Sequence, residues 1–187
     1  MPAPAPAPLN GVLLLCVDLQ PVFLKAVADG FATARRCSFA IEAATAFGIP
    51  VAFTEQMPQK LGATDPELLK LVKHPTVYPK SCFSVFADDG IRDSLRSFDL
   101  EHIILCGLET SICIYQTALG ALDANVQVTV LTDAVTGRRP DDSRTCLEAL
   151  SRAGVHLLPS ESVFYALLHD AKHPAFKTFN KLVKAYA

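Results

Sequence analysis

Short, continuously apolar runs alternate with longer stretches of helical spacing along most of the chain. The runs are "GVLLLCVD" (11–18), "IPVAFTE" (49–55), "TVYPK" (76–80), "HIILCG" (102–107), "VQVTVLTD" (126–133) and "VHLLPS" (155–160), and each reads as a strand. The first, fourth and fifth offer no polar face, so a sheet that holds them must be covered on both sides, as parallel sheets are. Helical intervals over 31–47, 90–97, 111–124 and 141–153 fill the gaps, with Gly48 and Gly154 where helix-ending glycines stand. Two closing helices are predicted at 160–169 and 174–186, the second with Pro174 near its first turn. Strand and helix alternate throughout. The predicted fold class is therefore α/β: a three-layer α-β-α, doubly wound domain of Rossmann-like type around a mostly parallel six-stranded sheet.

Composition changes this picture only by exclusion. With 187 residues, half of them hydrophobic, the chain can bury the core of one domain, expected over 11–187. The leader "MPAPAPAPLN" (1–10) reads as a flexible Pro/Ala arm. It lacks the basic start and apolar centre of a secretion signal and the arginines of a transit peptide, which leaves open a longer precursor. No apolar run approaches the ~20 residues that span a bilayer. The expectation is a cytoplasmic protein with no membrane partner, mitochondrial association being left open. A formal net charge of -2, with no Lys/Arg run interleaved with aromatics, argues against nucleic acid as a partner. The six cysteines (16, 37, 82, 106, 113, 146) show no C-x-x-C spacing, so reduced thiols are expected rather than a disulfide framework or a zinc site.

In an open α/β sheet, ligands bind beyond the carboxyl ends of the strands. The polar residues there are Asp18 after the first strand, Lys80 at the end of the third, and Cys113 one turn into the helix after the fourth. An acid, an amine and a thiol permit one specific chemistry. A free thiol has a pKa of about 8.5 and is a few per cent thiolate at neutral pH. A helix N-terminus and an ammonium favour the anion, a carboxylate can take the proton, and backbone N–H groups at the helix start can hold an oxyanion. Acyl transfer to water follows, and the combined effect of helix and Lys80 is expected to outweigh Asp18 and depress the Cys113 pKa. The residues placed to wall the substrate pocket are Phe23, Gln56, Phe83 and Tyr115. Each of the three reactive residues also has an ordinary reading: Asp18 as a cap, Lys80 as a solvated amine, Cys113 as a small buried hydrophobe. Cys16 and Cys106, inside apolar strands, read as core thiols.

Three segments, "LCVDLQPVF", "YPKSCFSVF" and "CGLETSICIYQTALGAL", resemble the isochorismatase-like cysteine hydrolases, a family that includes nicotinamidases, carbamoylsarcosine amidases and isochorismatases. The resemblance runs from about residue 11 to about 160. It implies the isochorismatase-like hydrolase fold and a Cys-Asp-Lys triad, with Asp18 as general base, Lys80 as electrostatic partner and Cys113 as nucleophile. It further implies a cis peptide bond between Leu108 and Glu109, with the Glu109 and Cys113 amides as oxyanion hole. Where metal-binding nicotinamidases carry an Asp-x-His pair, this chain has Gln56 and Pro58, so no metal and no cofactor are expected. "TEQ" and "LG" of that loop resemble the metal-free, isochorismatase domain-containing branch, and Ser111 stands where many members have His.

The function read from the sequence is thus a small-molecule hydrolase cleaving a C–N amide bond through a thioester. The alternatives are an isochorismatase-type vinyl-ether hydrolase, a catalytically silent scaffold and, last, a ribonuclease. "HDAKH" (169–173) offers two histidines four apart, but Pro174 follows and the segment reads as a helix boundary. Arg138 and Arg139 in "GRRPDDSR" read as a solvated loop entering a helix. A homo-oligomer is expected from Phe164, Leu167, Leu168, Phe179, Leu182, Val183 and Tyr186, which give the two closing helices more apolar surface than a monomer usually exposes.

Overall fold

The computed structural model describes residues 9–187. The Pro/Ala arm expected over 1–10 lies outside them, apart from Leu9 and Asn10. In chain order the elements are β1 (Val12–Val17), α1 (Pro21–Ala26), α2 (Gly30–Ala46), β2 (Val51–Gln56), α3 (Pro58–Leu61), α4 (Pro66–Leu69) and β3 (Thr76–Lys80). A 3-10 turn (Val85–Ala87), α5 (Asp89–Ser97) and β4 (His102–Gly107) follow, then a π-helical turn (Thr110–Ile114) and α6 (Tyr115–Asp123). The chain closes with β5 (Gln127–Val135), α7 (Pro140–Arg152), β6 (His156–Leu158), α8 (Ser160–Leu168) and α9 (Phe176–Tyr186).

All six strands pair in parallel, in the order β3-β2-β1-β4-β5-β6. The pleat divides each central strand between two cores. Leu14, Cys16, Ile104 and Cys106 face α2, α8 and α9, whereas Leu13, Leu15, Val17, Ile103 and Leu105 face α5, α6 and α7. Each strand is therefore apolar at consecutive positions, which is the doubly covered α/β sheet that the hydrophobic runs predict. Cys16 and Cys106 are fully buried as expected, and burial holds the Cys16 thiol well above its ordinary pKa. Among the described residues, no helix is long and apolar enough to cross a membrane.

The closing helices depart from expectation. Phe164, Leu168 and Phe179 are buried against α2, and Leu167, Leu182, Val183 and Tyr186 pack on the same core. Phe39 of α2 holds Phe164, Phe179 and Tyr186 at ring distances of 6.2, 5.8 and 5.7 Å. Burying each phenylalanine contributes on the order of 2 kcal/mol, so the apolar stripes are consumed within the chain. Leu167, Leu182, Val183 and Tyr186 remain half-buried, and Tyr165 of α8 is exposed. α9 begins at Phe176 rather than at 174, because Ala175 accepts the entering turn: its N–H donates to His173 Nδ1 at 3.1 Å.

The chain runs outward from β1 to β3, returns, and restarts at β4 on the other side of β1. The carboxyl ends of β1 and β4 therefore flank the point where the winding reverses. Gly107 closes β4 at that point with φ +114, and a Cβ there would stand 2.1 Å from the Val17 carbonyl oxygen. Only glycine lets the two strand ends approach so closely. Gly107→Ala is expected to lower stability by about 3 kcal/mol. A urea titration checks this, and a loss within the ordinary range of surface substitutions would contradict it.

Candidate functional site

Asp18 leaves β1 in the left-handed region, φ 50, which turns its side chain toward the end of β2. Its N–H donates to the Thr54 hydroxyl at 3.1 Å, and that hydroxyl donates to Asp18 Oδ1 at 2.6 Å. Oδ2 accepts from Lys80 Nζ at 2.7 Å. Lys80 ends β3, in register with Gln56 at the end of β2. Its ammonium donates to Gln56 Oε1 at 2.6 Å and the Cys82 carbonyl at 3.3 Å, and stands 3.6 Å from Cys113 Sγ. The two charged side chains are 0% and 2% exposed, so the solvated-amine reading of Lys80 does not hold.

Cys113 follows β4, but not at the start of an α-helix. Residues 110–114 form a wide turn in which the Glu109 carbonyl accepts the N–H groups of both Ile112 and Ile114 at 3.1 Å. The α-helix begins only at Tyr115. The Leu108–Glu109 peptide bond is cis, as the family resemblance implies. Burial, followed by the Asp18 charge, pushes the Cys113 thiol up to about 12, against the opposing influence of Lys80. This reverses the expected depression. The ammonium 3.6 Å from sulfur is already neutralised by a carboxylate at 2.7 Å, and the thiol is almost wholly out of water.

Above the three residues opens a cavity of about 450 Å³. Asp18, Gln56 and Cys113 stand in its wall with Val22, Phe23, Met57, Leu61, Phe83 and Ile112, and with the ion pair of Glu109 and Arg138. Of the residues expected to wall a substrate pocket, Phe23, Gln56 and Phe83 line this cavity. Tyr115 is not in that wall: it is half-buried against the core that faces α5, α6 and α7. A wider groove of about 680 Å³ shares the Glu109, Ile112 and Arg138 wall but contains none of Asp18, Lys80 and Cys113. The smaller cavity is the one lined by Asp18 and Cys113. Among the described residues no group of three or more His, Cys, Asp or Glu is placed to hold a metal ion.

The isochorismatase domain model matches residues 12–162. The chain belongs to the isochorismatase-like hydrolase family. It is 39% identical over 181 residues to isochorismatase domain-containing protein 2 of Bos taurus, covering 95% of this chain and 84% of that protein. It is similar to the structure of the MAR1 ribonuclease of Caenorhabditis elegans, with a TM-score of 0.86 and 29% identity, covering 95% of this chain and 92% of that one. The Escherichia coli YcaC gene product, an octameric hydrolase of unknown specificity, has a TM-score of 0.83 at 19% identity over 97% of this chain and 96% of its own. At that identity the likeness is one of fold.

Sequence reasoning missed four contributors. Thr54 is a buried strand residue whose hydroxyl binds Asp18, and nothing in an apolar run marks it. Gln20 is fully buried; its Oε1 accepts the Gln56 N–H at 2.7 Å and its Nε2 donates to the Gln56 and Gly62 carbonyls at 3.1 and 2.6 Å. It ties β2 to the loop that carries Met57 and Leu61. Ile112 and Arg138 complete the wall, Arg138 Nε donating to Glu109 Oε1 at 2.7 Å.

The reversed pKa makes a sign-specific expectation. Asp18→Asn removes the like charge, so the Cys113 pKa falls, and iodoacetamide alkylation at pH 7 accelerates by about tenfold for each unit lowered. Lys80→Met moves it the other way. Peptide-level mass spectrometry of Cys113 across pH 6–11 measures both, and slower alkylation in Asp18→Asn would reverse the assignment of causes.

Proposed function

We propose that this family member hydrolyses a small molecule at a C–N amide bond, with Cys113 as nucleophile, Asp18 as base and Lys80 as the charge that stabilises both. The observation that carries the reading is the Lys80 ammonium, in contact with the Asp18 carboxylate at 2.7 Å and the Cys113 sulfur at 3.6 Å beneath the floor of a cavity that Asp18 and Cys113 line. Asp18 takes the thiol proton as sulfur bonds to the carbonyl carbon, and the oxyanion is held by the Glu109 and Cys113 N–H groups. Collapse breaks the C–N bond, and Asp18 returns its proton to the leaving amine. Water then attacks the thioester, Asp18 receives the water's proton and passes it to the departing sulfur, and a carboxylic acid is released.

The likeness to the MAR1 protein raises a ribonuclease reading. That chemistry needs cations free to hold phosphate, whereas Lys80 and Arg138 each face a carboxylate at 2.7 Å. Amide hydrolysis fits the site better. The vinyl-ether reading differs in not requiring the thiol, and the silent-scaffold reading in forming no adduct.

Incubation with a pool of neutral amides is expected to add an acyl mass to Cys113, seen by intact-mass analysis. Cys113→Ala is expected to lower kcat/KM on the amide so identified by at least about a thousandfold. Full turnover in Cys113→Ala would overturn the thioester route. Absence of any adduct across the pool would favour the scaffold, and degradation of RNA abolished by Cys113→Ala would favour the nuclease.

We further propose that the chain forms a homo-oligomer. With the closing helices buried in their own fold, support comes from Phe31, 87% exposed at the start of α2, and from the octameric YcaC of the same fold. Light scattering is expected to give a mass above that of one chain, and Phe31→Ser to reduce it. A monomeric mass at high micromolar concentration would defeat the proposal.

A further inference from the structure

Every charged side chain in the wall of the catalytic cavity has an opposite partner. Asp18 meets Lys80 at 2.7 Å beneath the floor, and Glu109 meets Arg138 at 2.7 Å at the rim. The polar atoms of Gln56 are also engaged, Oε1 by Lys80 at 2.6 Å and Nε2 by the Ser81 carbonyl at 2.8 Å. At the floor no charge is left over to pair with a carboxylate, phosphate or ammonium on a substrate, and desolvating such a group there would go uncompensated; Arg138 at the rim, 59% exposed, keeps its guanidinium toward water. The remainder of the wall is Val22, Phe23, Ala26, Met57, Leu61, Phe83 and Ile112. Phe83 and Val22 are 56% and 44% exposed, two of the five large hydrophobic side chains in the described residues that stand in water, and both belong to this one cavity.

From this charge balance and lining we infer that the substrate is an uncharged amide with an apolar acyl chain, an alkyl or aryl group seated between Phe83, Met57 and Ile112 while its carbonyl carbon faces Cys113. The inference rests on the amide-hydrolase reading for the reaction, but not for the shape and polarity of what binds. A cavity of about 450 Å³ lies within the range of small-molecule sites and exceeds what a one- or two-carbon acyl group fills. Each methylene that enters it leaves water for carbon, with an expected gain of about threefold to fourfold in binding. Phe83 and Val22 lose their exposure when the chain is in place.

Aldehydes separate binding from hydrolysis, because a thiol adds to the aldehyde carbon, its proton passes to the aldehyde oxygen, and no leaving group is required. The probes are the straight-chain series from acetaldehyde to hexanal, with benzaldehyde, anionic glyoxylate and cationic betaine aldehyde. The readout is protection of Cys113 from iodoacetamide in the full chain. Protection is expected to strengthen about threefold per methylene and to exceed that of both charged aldehydes by at least tenfold at equal concentration. Phe83→Ser is expected to flatten the series and Phe83→Leu to restore most of its slope. A flat series in the native protein, or glyoxylate or betaine aldehyde protecting as well as pentanal, would overturn the inference. So would a Phe83→Ser protein that loses its oligomeric state and keeps the slope, since Phe83 would then belong to an interface between copies. A steep series without turnover of any amide would remove the hydrolase reading and leave this one standing, while amide turnover with a flat series would do the reverse.

Discussion

A carboxylate and an ammonium that water cannot reach must find every partner they need within the protein. The Lys80–Asp18 pair is in that position, its side chains 0% and 2% exposed, and leaving either ion alone there would cost about 3–5 kcal/mol. The surrounding residues meet this demand one atom at a time. Thr54 donates to one carboxylate oxygen and Lys80 to the other; Gln56 and the Cys82 carbonyl accept from the ammonium. The remaining close neighbour of the ammonium is the sulfur of Cys113. The thiol is thus part of the solvation shell of a buried ion pair, which fixes where the sulfur of Cys113 sits.

The sheet topology makes such a pair possible. Asp18 and Lys80 lie on strands separated by β2, so the lysine must cross the end of β2 to reach the carboxylate, and β2 must present nothing that blocks it. Thr54 and Gln56, two residues apart on β2, supply the hydroxyl and the amide oxygen at that crossing. Gln20 holds the Gln56 backbone from both sides and ties Gly62 to it, while Glu55 accepts the Thr64 N–H at 2.7 Å. The loop over 57–65 is thereby clamped at two places, and Met57 and Leu61 are held as wall. The close approach of Gly107 to Val17 does the same for the turn that carries Cys113. Positioning is carried by backbone clamps at strand ends, and the reactive side chains inherit their precision.

Those clamps also divide what the sequence reveals from what it conceals. A strand buried on both faces is written in consecutive apolar residues, so "GVLLLCVD" and "HIILCG" announce a parallel sheet, and the residues that end them announce the site. α1, α3 and α4 carry no such mark. They are short turns held by tertiary bonds such as Gln20 to Gly62, and Met57 enters α3 from the left-handed region. Tyr115 stands two residues past Cys113, and on a helical turn, π or α, that spacing does not put two side chains on one face. The closing helices show the same limit. An apolar stripe says that a helix covers something, and only the three-dimensional arrangement shows that Phe164 and Phe179 cover Phe39 of their own chain. Arg138 is the solvated arginine that the loop suggests, 59% exposed, and its pairing with Glu109, distant in sequence, is what spacing does not show.

The thiol pKa is the plainest case of burial overruling a list of neighbours, and its direction suits the chemistry. Lys80 is nearly neutralised by Asp18, so a thiolate formed by losing its proton to water would add a third, uncompensated charge to a dry site. Burial and Asp18 accordingly push Cys113 up to about 12. Passing the proton to Asp18 is different. The carboxylate becomes neutral, the sulfur becomes negative, and the ammonium exchanges a carboxylate partner for a thiolate one. The number of buried charges is the same before and after, and the large desolvation penalty enters both sides of the step and cancels. An isolated pKa measures the first process, whereas the attack on a bound carbonyl proposed above would use the second. A thiol that is inert toward solvent can therefore be reactive toward a substrate that excludes solvent, provided that lysine, aspartate and sulfur remain within reach of one another as Thr54 and Gln56 hold them.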